Sequence, residues 1–103
     1  MAAGKLGNAV LPTNTDTVLY TVPANVVATV NINICNKGAA TAKVRLAIAA
    51  NAAPGAAEYL EYDTAIPANG VLERTGIVCS TTEKVVVRAD TADVAVRVHG
   101  FEE

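Results

Sequence analysis

Apolar and polar residues alternate with a period of two along most of this chain, the spacing of a strand that buries one face. Ala28, Val30, Ile32 and Ile34 interleave with Thr29, Asn31, Asn33 and Cys35. Val44, Leu46 and Ile48 interleave with Lys43, Arg45 and Ala47, and Val94, Val96 and Val98 with Ala95, Arg97 and His99. The punctuation between such runs divides the chain into about seven strands, Val18–Val22, Val26–Asn36, Thr41–Ala49, Glu58–Thr64, Val71–Cys79, Lys84–Ala89 and Val94–Phe101. Turn chemistry marks the breaks: Pro23-Ala24-Asn25, Lys37-Gly38, Pro54-Gly55, Pro67-Ala68-Asn69-Gly70, Ser80-Thr81-Thr82-Glu83 and Asp90-Thr91-Ala92-Asp93. The alanine-dense stretch Ala47–Ala57 is not read as a helix, because an interior proline costs about 3 kcal/mol and Pro54-Gly55 stands inside it.

Short strands at this spacing predict an all-β fold, an antiparallel β-sandwich of jelly-roll or Ig-like type. Residues 17–103 form the sandwich. Residues 1–16 lack alternation and read either as a frayed terminus or as an extended N-terminal arm. The arm is the reading taken, with Leu6, Val10 and Leu11 as apolar anchors that order on a neighbouring subunit.

Composition sharpens this picture. The chain has 103 residues, enough for one core. It holds 20 Ala and 15 Val against 11 Leu plus Ile, no Trp, one Phe and three Tyr. Half of it is apolar, which argues against disorder, and no apolar run is long enough for a membrane span. A net charge of −2 with the signs interspersed leaves no electrostatic footprint for nucleic acid.

Candidate chemistry is sparse. His99, Cys35 and Cys79 stand far apart, without the close-spaced pairs of a zinc site, and no nucleophile elbow or phosphate-binding loop occurs. The sequence therefore predicts no enzyme, no cofactor and no metal. The N-terminal residues lack the apolar core of a secretory signal, so a reducing compartment and free thiols at Cys35 and Cys79 are expected. Tyr59 and Tyr62 differ in parity and are expected on opposite faces of their strand, with Tyr59, Glu61 and Asp63 sharing one. Thr29, Asn31, Asn33 and Cys35 form an uncharged outward row. It is either exposed sheet or the hydrogen-bonding face of a subunit contact, which desolvates without stranding a charge.

Several short motifs, in order, carry a resemblance. Thr17-Val18-Leu19-Tyr20-Thr21-Val22-Pro23-Ala24 resembles the Leu-Tyr-Thr-Val-Pro-Ala opening of small tailed-bacteriophage virion proteins and fibre-associated β-domains. Ile34-Cys35-Asn36, Tyr59-Leu60-Glu61-Tyr62-Asp63, Asn69-Gly70-Val71-Leu72, Gly76-Ile77 and Val96-Arg97-Val98-His99-Gly100-Phe101-Glu102 extend it over residues 17–102. The resemblance implies a non-enzymatic structural protein of the virion, assembled in the host cytoplasm. Its expected function is that of a capsid decoration (cement) protein, a homo-oligomer with a trimer favoured, bound to the major capsid protein. A tail, collar, baseplate or fibre-associated component bound to tail proteins is the alternative. A receptor- or carbohydrate-binding module centred on Tyr59 is a third reading.

Overall fold

The computed structural model describes residues 2–103. Eight strands follow in order: β1 (Ala3–Val10), β2 (Thr17–Thr21), β3 (Ala28–Asn36), β4 (Ala42–Ala49), β5 (Tyr59–Ile66), β6 (Val71–Cys79), β7 (Lys84–Ala89) and β8 (Val94–Glu102). A single 3₁₀ turn, Ala56–Glu58, interrupts the loop after β4. The strands form two four-stranded sheets, a front sheet ordered β1-β8-β3-β6 and a back sheet ordered β2-β7-β4-β5, antiparallel throughout.

The pairing is nested. β1 pairs with β8, β2 with β7, β3 with β6 and β4 with β5, as though one long hairpin had been folded over and split between two layers. This is the topology of a jelly roll, and it selects that alternative over the Ig-like one.

Alternation explains the core. In β3, Ala28, Val30, Ile32 and Ile34 are fully buried between the sheets, and their neighbours Thr29, Asn31, Asn33 and Cys35 are only half-buried on the outside. Val94, Val96 and Val98 of β8 face them from the same sheet, and Val44, Leu46, Val85 and Val87 come from the back sheet. Such a core is filled by short branched side chains, and Tyr20 is its only aromatic. The Tyr20 hydroxyl reaches the rim, where it donates to Glu102 Oε2 at 2.5 Å.

The eighth strand is β1, which occupies the segment expected to be an arm. Leu11 is 1% exposed and its N–H donates to the Val94 carbonyl, while Leu6 packs against the core edge. Residues 3–10 belong to the sandwich, so no boundary falls at residue 16. The register of β1 on β8 slips between Lys5 and Gly7, which turns the Leu6 side chain inward out of phase. Gly7 lies directly against the Leu19 carbonyl of β2, and a side chain there would force the two layers apart. Bulge and glycine together erase the period-two signal that marked the other strands.

Among the described residues one polar side chain is fully buried. Asn36, at the end of β3, donates through Nδ2 to the carbonyls of Ala40 and Ile66 at 2.8 and 3.0 Å. Its Oδ1 accepts from Gly38 N–H at 3.0 Å, so the amide ties two loops to the strand end with its polar capacity used.

Candidate functional site: the two outer faces

The outer face of the front sheet is laid out in rows set by strand register. At one end stand Val10, Ala95, Cys35 and Val71, and beside them Asn8, Arg97, Asn33 and Glu73. The third row holds Lys5, His99 and Asn31, and the row at the other end holds Ala3, Phe101, Thr29 and Val78. The end rows leave large apolar side chains in the open: Val10 55%, Val71 53%, Phe101 45% and Val78 66% exposed. Charged groups on this face are few, with Lys5 and Arg97 on the β1–β8 half and Glu73 on β6. A hollow of about 260 Å³ opens among Asn8, Val10, Asn33, Cys35, Ala95 and Arg97.

Of the three residues expected as anchors, Val10 alone lies on this surface, and Leu6 and Leu11 are spent on folding. Thr29, Asn31 and Asn33 do lie side by side facing outward. Asn31 is partly engaged, since its Oδ1 accepts from Gly76 N–H at 2.9 Å and so holds the bulge in β6. His99 sits between Lys5 and Asn31 with its Nδ1 buried and unpartnered. At the rim, the Ala2 N–H donates to Glu102 Oε1 at 3.0 Å, and the Glu102 N–H donates to the Ala2 carbonyl. Hydrogen bonds from Tyr20 and Ala2 hold the Glu102 carboxyl below its usual range, and burial with that same bond raises the Tyr20 hydroxyl.

The back sheet's outer face is organised differently. Arg45 donates from Nε to Asp63 Oδ1 at 2.7 Å, and its guanidinium stacks 4.2 Å from the centroid of the Tyr62 ring. Tyr59 meets Tyr62 edge-on, with centroids 5.0 Å apart. The two tyrosines therefore share a face, contrary to their parity. The register of β5 on β4 shifts twice, around Leu46, and Asp63 adopts a left-handed φ of 51°. Each slip reverses the alternation. Glu61 consequently leaves the company of Tyr59 and Asp63, turning toward Arg74 of the front sheet and accepting from the Thr64 hydroxyl at 2.7 Å.

The ion pair depresses the Asp63 carboxyl and raises Arg45 further. A small polar cavity of about 50 Å³ lies beside it, between Lys43, Arg88 and Asp90. Asp, with its tolerance of positive φ, was a local sign of the break at position 63. Nothing local announces the stacking of Arg45 on Tyr62, which depends on how β4 and β5 are paired.

The cysteines are free. Cys35 faces outward in the first row, whereas Cys79 is buried in the core at the opposite end of β3, where burial pushes its thiol up to about 11. Among the described residues no three His, Cys, Asp or Glu side chains gather as metal ligands, and no helix is long and apolar enough to cross a membrane. Comparison with protein-family models, with curated proteins and with solved structures finds no match for this chain.

Proposed function

We propose that this protein is a non-enzymatic structural component of a tailed-phage particle that decorates the head shell and stabilises it by lateral contact. The observation that carries this reading is the outer face of the front sheet, uncovered, nearly uncharged and apolar at both ends. A surface of that kind favours protein contact, because most of it can be dehydrated at little cost and its few charges, Lys5, Arg97 and Glu73, are open to groups on a partner. The sandwich interior is filled by its own side chains, so recognition falls to the outside. Jelly rolls serve in viral shells, lectins and other proteins, and the fold by itself does not choose among them. The phage setting rests on the ordered motifs of residues 17–102.

A protein that binds only the assembled shell stabilises it by mass action, each copy adding buried contact across the joints between subunits. With Leu11 in the core and Leu6 packed against its edge, the contact is made by a preformed sheet face rather than by an ordering arm. Quantitative mass spectrometry of purified virions tests the reading. A copy number close to that of the major capsid protein upholds head decoration, and a ratio near a hundredth moves the protein to the tail, collar or baseplate. Absence from the particle overturns both.

Carbohydrate binding has one observation in its favour, the 58% exposed Tyr62 ring held by Arg45 beside Asp63. Binding on a glycan array that is lost in Tyr62→Ala would carry that alternative, which shifts its centre from Tyr59 to Tyr62.

A further inference from the structure

We infer that the outer face of the β1-β8-β3-β6 sheet pairs with the same face of a second copy of this chain, about a two-fold axis running along the strands. The inference rests on the lateral-contact reading above and names the neighbour. Three observations on the face lead to it.

The first is the placement of apolar groups. Among the described residues, four of the eight large apolar side chains left in the open, Val10, Val71, Val78 and Phe101, lie at the two ends of this one face. An axis along the strands lays each row upon the same row of the partner, reversed. Apolar ends then cover apolar ends, with Val71 over Val10 and Val78 over Ala3.

The second is charge. Lys5 and Arg97 lie on the β1–β8 half, and Glu73 lies on the opposite edge strand. The same axis places β6 of one copy over β1 of the other, which brings each Glu73 between the partner's Arg97 and Lys5. A two-fold axis across the strands instead sets β8 on β8 and stacks the Arg97 row on the cationic Lys5 row. Like-charge juxtaposition of that sort is costly, so the charge pattern selects the first axis.

The third is area. Four strands spaced about 4.8 Å apart and some eight residues long give two copies a joint burial of roughly 1,000 Å², the threshold for a specific interface. A face that is its own complement closes at two copies, so this contact makes a dimer in place of the trimer expected from the sequence.

The register places the two Cys35 residues in neighbouring positions of the first row, with backbones about 10 Å apart at the usual spacing of stacked sheets. Cys79 is buried, so Cys35 is the thiol that reagents reach. The experiment is analytical ultracentrifugation of the full chain across a concentration series, with a short bis-maleimide as cross-linker. The expected results are a reversible dimer and a covalent Cys35–Cys35 product, which the alternative axis forbids by placing these residues at opposite ends. Glu73→Lys and Arg97→Glu should each weaken the dimer by roughly tenfold, and the double exchange should restore it. Val78→Asp should abolish it through the apolar end row.

A monomer at every concentration overturns the proposal, as does a dimer indifferent to these changes and not linked through Cys35. The outcomes separate it from the reading on which it rests. A monomeric chain abundant on virions overturns the pairing and leaves decoration standing, whereas a dimer missing from virions does the reverse.

Discussion

The two outer faces of the sandwich are made from the same kind of alternating strand, yet they handle their surfaces in opposite ways. On the back sheet, Ala47 and Val86 point outward and are still 0% and 2% exposed, and Arg45 is engaged by both Asp63 and Tyr62. On the front sheet, the outward apolar side chains stand in the open and the few charges have no ion-pair partner within their own face among the described residues. Bulges account for much of this difference. Two slips in β5 fold its side chains back over the back face, whereas the front sheet's slips fall in its flanking β1–β8 and β3–β6 pairs and the central β3–β8 pair runs in unbroken register for nine residues. The back face still exposes Val18 and Tyr62 but pairs Arg45 within itself, whereas the front face leaves both apolar area and charges to be met from outside.

That contrast can be broken most severely at Gly100. Its φ of +151° and its closeness to the Thr29 backbone leave no room for a β-carbon in the centre of the front sheet. Gly100→Ala is expected to cost about 3 kcal/mol or more in urea unfolding, because the flat pairing of β8 with β3 must distort. Tyr62→Ala strips the cover from the back face and removes both an edge-to-face contact and a cation–π stack. Its expected cost is about 1 kcal/mol by the same measurement.

Acid sharpens the comparison further. The Asp63 carboxyl is held low by Arg45, and Glu58 is held low by the Gly55 and Ala50 N–H groups. A carboxyl depressed in the folded state contributes stability that is fully present above its unfolded pKa of about 4, and that is lost as pH falls through the folded value. Unfolding midpoints should therefore decline below about pH 4, and Asp63→Asn should flatten part of that decline. The smallest effect is expected at the front. Val78→Ser should change monomer stability by no more than about 0.5 kcal/mol, as for an exposed site without partners.

Strand identity was legible in the chain wherever one residue in two was apolar. β3, β4 and β8 announce themselves, and Asn25 and Asn69 take the positive φ that their turns called for. β1 was not legible, because Gly4, Gly7 and the slip at Leu6 leave no alternation to read, and the three anchors of the expected arm became one core residue, Leu11, one at the core edge, Leu6, and one on the surface, Val10. The outward row Thr29, Asn31 and Asn33 could be read from parity alone. Its apolar flanks could not, since Val10, Val71, Val78 and Phe101 come from three strands far apart in sequence and meet only through the nested pairing. Tyr59 and Tyr62 show the converse limit, where parity was plain and the one slip between Tyr59 and Glu61 reversed it.

The nested pairing also governs when this molecule can come into being. Because β1 bonds only to β8, it has no sheet partner until β8 has been made. Long-range closure of this sort makes folding slow, on the millisecond-to-second scale of β-sandwiches, and it defers completion of the front sheet until β8 is available. The front face shares that timing, since β8 supplies one of its four columns. A fragment that stops short of β8 therefore cannot display the front face whole, and its outer rows come into register in one closing step.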